Sequence, residues 1–308
     1  MRKSKFIFVG VSTAGSSIVK IFPQWSTLLG LDAEIVGCDL PLRSAKRTYR
    51  TVLREIRDDP LVVGALVTAH KIDLLRACRD LIDDLDERAA LCDEASCLAK
   101  RNGRLLAFAK DPIASVAALD GFVEPGHWRG GERDVLCLGA GGAAVAISVG
   151  LAQRGGADGL PRRFVLADIL PERLESIRRI HQRLESSMCF EYHLSQDASD
   201  NDALLAALPA GSLIINATGL GKDKPGSPLS ADALFPREGL IWELNYRGRR
   251  DFMRAAQAQA AARDLRVADG WDYFLHGWTE AIAEVFQIEI ANAAFMQMAE
   301  LAVAHRWP

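Results

Sequence analysis

The sequence predicts an α/β protein built from two α/β domains, one a Rossmann-type nucleotide-binding domain and the other discontinuous along the chain. Three observations carry this. Short apolar runs alternate with longer segments of helical spacing. One apolar run passes directly into a glycine turn and then an alanine-rich helix. A stretch rich in glycine and proline, 121–132, interrupts the alternation midway.

The first strand is 6–9. Its basic start resembles a secretory leader, but the apolar run is short and reaches Gly10 without a small-residue cleavage site. A helix follows over 17–29, a strand at 33–38, a helix over 45–57 and a strand at 62–67. Segment 73–84 places Leu74, Leu75, Cys78, Leu81 and Ile82 on one helical stripe. Its charged continuation, 83–88, reads as a solvated helix face. Such βα units predict a mostly parallel sheet covered on both faces. The loop 121–132 contains Gly121, Pro125, Gly126, Gly130 and Gly131, and a domain boundary lies nearby. A second α/β series begins at Asp134, with strands at 135–138, 164–167, 190–194, 212–216 and 240–244. From 271 to 307, alanines and apolar residues at helical spacing predict one or two long helices that return to the first domain. The expected domains are therefore 1–118 completed by 272–308, and 119–271.

Composition excludes several classes of function. Of 308 residues, 49% are hydrophobic, enough for two cores. The 37 basic and 40 acidic side chains are interspersed and leave a net charge of −3, without the basic stripe that nucleic acid requires. No apolar run reaches the roughly 18 residues that span a bilayer, and no polybasic segment flanks an apolar helix. Cys38, Cys78, Cys92, Cys97, Cys137 and Cys189 are scattered among apolar neighbours, which points to unpaired thiols in a reducing cytoplasm. The six histidines show no ligand spacing, so no metal site is expected. The expected partner is a small-molecule substrate, with no nucleic acid or membrane, and the expected state is a monomer or homodimer.

The strongest local signal is DVLCLGAGGAAVAISVGLAQRGG. Gly139, Gly141 and Ala144 fit G-x-G-x-x-A between a strand and a helix that ends at Gly155 and Gly156. Gly139 permits the tight turn, Gly141 lets backbone approach a pyrophosphate, and Ala144 keeps helix and strand close. The N–H groups around Ala140, Gly142 and Ala143 would face the anion at the positive end of the helix dipole. The next strand, RRFVLAD, ends at Asp168, where a carboxylate accepts from an adenosine ribose and repels a 2′-phosphate. NAD is therefore expected over NADP. The insertion GGADGLPRR explains why Asp168 lies beyond the usual spacing of about 20 residues. Arg162 and Arg163 precede the strand, at the wrong end for a 2′-phosphate. In LIINATGLG, Asn216, Ala217, Thr218, Gly219 and Gly221 form a loop after a strand, placed for the nicotinamide.

With these motifs and the segments VTAHK and AKD, the chain resembles the shikimate/quinate dehydrogenase family over nearly its whole length. The resemblance implies a discontinuous substrate domain, a nucleotide domain inserted in it, and an active site in the cleft between them. It also implies a catalytic pair. Lys71 matches the lysine closing N-V-T-x-P-x-K, and Asp111 matches the aspartate closing N-T-D. Oxidising a secondary alcohol requires loss of a hydride and of the hydroxyl proton. A lysine handles that proton if burial lowers its pKa, and an aspartate holds the ammonium.

The departures from the family are many. Its S-x-S, which holds the substrate carboxylate, matches Ser16 and Ile18, with Ser17 as a substitute. The proline and first asparagine become Ala69 and Ala65, and Thr68 lies one place from the family threonine. Ser96 or Cys97 stands where a second asparagine is expected, and Lys110 replaces the threonine of N-T-D. The family tyrosine matches Tyr246. The substrate-touching glutamine falls at Gly277, which leaves Glu280, His276 and Trp278 as alternatives. Lys110 and His70 are expected to bring donors beside the pair. Trp271, Tyr273, Phe274 and Trp278 either line the cleft or belong to the core. Losing asparagines that grip ring hydroxyls changes discrimination strongly, so a substrate other than shikimate is expected. The chain thus reads as an NAD-dependent dehydrogenase of a polyhydroxylated or carboxylated alcohol. The alternatives are a non-catalytic metabolite sensor on the same fold and a true shikimate dehydrogenase.

Overall fold

Alternating apolar runs do form parallel strands wrapped by helices, and the chain folds as two α/β units. The computed structural model describes residues 3–130, 132–154, 159–222 and 224–307. Gly131, the expected helix end at Gly155 and Gly156, and the start of the GGADGLPRR insertion lie outside the described residues.

The first unit comprises Met1–Asp111 and Gly277–Pro308. Its elements begin with β1 (Ser4–Gly10), α1 (Ser17–Leu28), β2 (Ala33–Asp39), α2 (Lys46–Asp58), β3 (Val62–Val67) and α3 (Lys71–Cys78). In α2, Tyr49, Val52, Leu53 and Ile56 recur at helical spacing and are buried, while Lys46, Arg47 and Arg54 are exposed. After α3 come a 3₁₀ turn (Arg79–Leu81), β4 (Asp84–Leu85), α4 (Glu87–Cys92), β5 (Cys97–Arg101), β6 (Arg104–Phe108) and the start of α5 (Asp111–Asp120). The sheet runs β2-β1-β3-β5-β6-β4. Its β1, β2 and β3 are parallel, whereas β5 lies antiparallel to both β3 and β6.

The sheet is mostly parallel, as expected, with β5 alone reversed, and the reading of 73–88 is corrected. The sheet is mixed because Asn102 and Gly103, at φ 50° and 76°, make the tight hairpin that joins β5 to β6. The helix expected over 73–84 stops at Cys78, and the chain becomes extended to pair with β6 at Leu106 and Ala107. Within 83–88, residues 83–86 are accordingly not helical, and only Glu87 and Arg88 join a helix, α4. The Asp83 carboxylate accepts the Leu105 N–H at 2.7 Å, and Asp86 caps α4 by accepting from Ala89 at 2.7 Å.

The second unit is Pro112–His276. It continues with β7 (Val135–Leu138), α6 (Gly142–Arg154), β8 (Arg163–Asp168), α7 (Pro171–His181), β9 (Cys189–Leu194), α8 (Ala198–Ala206), β10 (Leu213–Asn216), β11 (Leu240–Glu243), α9 (Asp251–Arg263) and β12 (Arg266–Asp269). Its sheet order is β12-β11-β10-β7-β8-β9, parallel throughout. Counted from β7, that is the 3-2-1-4-5-6 order of a Rossmann sheet, with the switch point between β7 and β10. Leu136, Leu138, Ile214, Ile241, Phe235 and Phe252 fill one face. At the start of β8, Arg162 and Arg163 bind the buried Asp134 at 2.8 and 2.6 Å.

Helix α10 (Trp271–Phe286) crosses the boundary between the units, and α11 (Asn292–Val303) belongs to the first. There Trp25 donates its indole N–H to the Met298 carbonyl at 2.8 Å, which seats α11 on α1. Among the described residues no helix is long and apolar enough to cross a membrane.

Candidate active site

In the first unit, β3 delivers its chain end to Lys71 at the start of α3, and Asp111 begins α5. The Lys71 ammonium bonds the Asp111 carboxylate, and both side chains are largely buried. Burial alone would lower the lysine pKa. The nearby Asp111 and Glu94 carboxylates and the bond to Asp111 outweigh it and hold the ammonium above its usual range. The expectation of a lowered lysine is therefore reversed: Lys71 rests protonated.

Other named residues of the first unit have definite partners. The Thr68 hydroxyl donates to the Val9 carbonyl at 3.2 Å, and the Thr68 carbonyl accepts the Lys71 N–H at 3.2 Å. Ser96 accepts the Lys110 N–H at 2.8 Å, which fixes the chain just before Asp111. The Lys110 ammonium is bound by Glu284 at 2.8 Å and lies 3.5 Å from Glu280, both on α10. Arg101 bonds the same Glu284. Lys110 is thus held by α10 carboxylates. His70 also departs from its expected role: it is buried, with Nε2 3.0 Å from the Leu40 carbonyl and Nδ1 3.0 Å from the Tyr49 hydroxyl. Since a carbonyl only accepts, Nε2 carries the proton and Nδ1 takes the tyrosine's. Ser17 donates to the His305 carbonyl at 2.8 Å, Ile18 is buried in the core, and Ser16 is the N-cap of α1 without a side-chain cap bond. Trp278 meets Phe8 edge-on at 4.9 Å, a core contact.

In the second unit the glycine turn sits at the switch point. Gly139 has φ 105°, and a Cβ there would lie 2.8 Å from the Ala217 carbonyl carbon and oxygen, so only glycine fits. A Cβ on Gly141 would meet, among the described residues other than its chain neighbours, no atom within 4 Å. Nothing in the fold explains that second glycine, whereas a closely approaching pyrophosphate would. Gly142 and Ala143 open α6, whose first N–H groups lack intrahelical partners, and Ala144 is buried. These residues fit a dinucleotide. Asp168 is buried at the end of β8. It accepts the Ala140 N–H at 2.7 Å and the Leu170 N–H at 2.9 Å, with the half-exposed Arg173 3.7 Å away.

Across the switch point, Asn216 accepts from the Thr218 hydroxyl at 2.7 Å and donates to Glu243 at 2.9 Å. Ala217 donates to the Leu138 carbonyl at 2.7 Å, and Gly219 turns the loop at φ 78°. Glu243 is fully buried, and burial pushes its carboxyl up to about 7 against the pull of bonds from Asn245 and Asn216. Tyr246 packs against Phe274 at 4.8 Å and Trp271 at 5.9 Å, with the Lys222 ammonium 5.7 Å from its ring. Tyr273 packs on Trp242 at 5.8 Å. His276 is half-buried, which lowers its pKa and favours the neutral ring.

Two acidic residues escaped the sequence reading, Glu94 and Glu243. Each had a signal: a lone glutamate inside an apolar strand, LIWEL, and another amid the small, buried-type residues of LCDEASC.

No family model matches the chain. A shikimate dehydrogenase (NADP(+)) of Streptococcus gordonii is 32% identical over 196 residues, 63% of this chain and 63% of that protein. The matched stretch thus spans just under two thirds of that relative's length. A shikimate dehydrogenase (NADP(+)) of Rhodopseudomonas palustris is 32% identical over 216 residues, 70% of this chain and 68% of the relative. The Thermus thermophilus shikimate 5-dehydrogenase, solved with NADP(H) and shikimate, superposes with a TM-score of 0.72 at 22% identity, covering 97% of this chain and 100% of that one. By these relatives, the chain belongs to the shikimate dehydrogenase family.

Proposed function

We propose that the chain is a nicotinamide-dependent dehydrogenase of the shikimate/quinate type, acting on a small polyhydroxylated or carboxylated alcohol other than shikimate. The Lys71–Asp111 ion pair carries this reading: two residues 40 positions apart in sequence are joined in a largely buried contact. A bound nicotinamide supplies or takes the hydride. Lys71 supplies the proton to the substrate oxygen when the carbonyl is reduced and recovers it when the alcohol is oxidised. Asp111 orients the ammonium. Because Lys71 rests protonated, carbonyl reduction is the direction for which the resting protein is prepared.

The altered neighbours support a different substrate. The Ser17 hydroxyl is committed to the His305 carbonyl, Ile18 is buried where the family has its second serine, and Lys110 is held by glutamates. A grip on a carboxylate is weakened by these changes, which favours a polyhydroxylated compound over a carboxylated one. Residues 139–143 and 216–219 are assigned to the dinucleotide. NAD is the proposed form, supported by the Asp168 charge at the end of β8, which opposes a 2′-phosphate. Arg173 beside it and the NADP(+) in the relatives' names weigh the other way. The six free cysteines support a reducing cytoplasm as its location.

The test is reduced-cofactor oxidation with a panel of polyhydroxylated ketones, and NAD(P)H formation with shikimate, quinate and other polyols, each with both cofactors. Turnover of a polyhydroxylated compound with NAD, lost in Lys71→Ala, supports the proposal. Efficient turnover of shikimate makes the chain a true shikimate dehydrogenase. Tight binding without any turnover makes it a sensor.

A further inference from the structure

Lys71 has a second buried carboxylate within electrostatic reach. Glu94 lies in the turn after α4, just past Asp93, which takes the left-handed φ of 52°. Its neighbour Ala95 donates to the Lys71 carbonyl at 3.3 Å, which ties this turn to the first turn of α3. The Glu94 side chain is fully buried, and among the described residues neither carboxylate oxygen has a hydrogen-bond partner. Ala89, Cys92 and Ala95 beside it in sequence are buried as well. A buried, unpaired carboxylate is among the costliest arrangements a fold can hold, unless it takes up a proton.

Charge counting explains the arrangement. Lys71 and Asp111 neutralise one another. An ionised Glu94 would leave a buried excess of one negative charge, and a protonated Glu94 removes it. Resting on the dehydrogenase reading above, we propose that Glu94 is a positioning residue that governs proton donation by Lys71 through its own ionisation. While Glu94 is neutral, the ammonium faces Asp111 alone and can release its proton to a substrate oxygen. Once Glu94 ionises, two carboxylates hold the ammonium and it becomes a poorer acid. The groups facing Glu94 are Lys71 of α3, Asp111 of α5 and Cys92 of α4. Burial pushes the Glu94 carboxyl up to about 7, Lys71 draws it down and Asp111 pushes it further up. Burial, Glu94 and Asp111 also keep the Cys92 thiol protonated, so it does not share the titration.

The experiment compares full-length wild type with Glu94→Gln by carbon-13 NMR of labelled glutamate and lysine side chains across pH 5–9, with no ligand added. Two glutamates, Glu94 and Glu243, are expected to titrate near neutrality in the wild type. The substitution should remove one of them and abolish the matching inflection in the Lys71 signal. A Lys71 signal that titrates identically in both proteins overturns the proposal, whether or not any substrate is ever turned over. With a turned-over ketone, wild-type kcat for reduction should fall about tenfold as Glu94 ionises, while the variant stays flat. The same decline in both proteins also overturns it. Should Glu94→Gln fail to fold, Glu94→Met removes the charge at similar volume and is read in the same way.

Discussion

The Asp168 carboxylate accepts the Ala140 N–H at 2.7 Å, a bond that runs from the end of β8 into the glycine turn after β7. The same side chain accepts from Leu170 and is buried. It therefore braces the glycine turn as well as carrying a charge. Asp168→Ala leaves two backbone donors short of an acceptor, at a cost of about 1–3 kcal/mol each if they stay dry. Loss of affinity for both NAD and NADP is expected by calorimetry. Asp168→Asn keeps an acceptor and removes the charge, so NADP should gain on NAD by about tenfold. An unchanged ratio would remove the basis for preferring NAD.

The two glycines of the turn should respond differently. Gly139→Ala forces a Cβ onto the Ala217 backbone at φ 105°, so stability should fall by about 1–3 kcal/mol. Gly141→Ala meets, among the described residues other than its chain neighbours, no atom within 4 Å. Thermal unfolding should leave that variant near wild type, while dinucleotide affinity drops. Intact binding in Gly141→Ala would mean that no ligand approaches that position.

Lys71→Ala should lower kcat by about 10²–10⁴ while dinucleotide binding survives, since the ammonium belongs to the first unit. It also strands Asp111 and Glu94 without their cation. Asp111→Asn leaves Lys71 its charge and one fewer carboxylate, so the amine should deprotonate at lower pH. A rate profile in which the basic limb moves down in Asp111→Asn, relative to wild type, is the expected signature.

Glu243 makes stability depend on pH. Its carboxyl rises from the ordinary 4.5 to about 7, so the folded state binds the proton more tightly than the unfolded chain. Its contribution is complete below 4.5 and is lost as pH rises through about 7, amounting to about 3 kcal/mol. Glu243→Gln should flatten that part of the pH–stability curve, as measured by denaturant unfolding from pH 5 to 8. A slope equal to wild type would show that Glu243 is ionised throughout.

Local pattern was enough to read the parallel strands, the glycine turn and the α/β class, because each is written in consecutive residues. A strand, a tight turn and a helix are dictated by apolar period and by glycine's freedom at φ 105°. The β5–β6 hairpin was equally local, in Asn102–Gly103, yet it escaped notice beside the stronger periodic signals. Other features were not local at all. The early end of α3 at Cys78 depends on β6 offering a free edge to residues 84–85, a contact made across more than twenty positions. The lysine's protonation followed the same rule. The family resemblance paired Lys71 with Asp111, but it could not show that Glu94 would be buried and act on the same ammonium. Burial and the sum of nearby charges exist only after the chain has closed on itself. They turned a lysine expected to be a lowered base into one held as an ammonium, and left Glu94 with no hydrogen-bond partner among the described residues. Sequence determined the α/β class, most of the parallel strands and the glycine turn. Tertiary structure decided the protonation state of Lys71, because electrostatic energy depends on distances that sequence order does not contain.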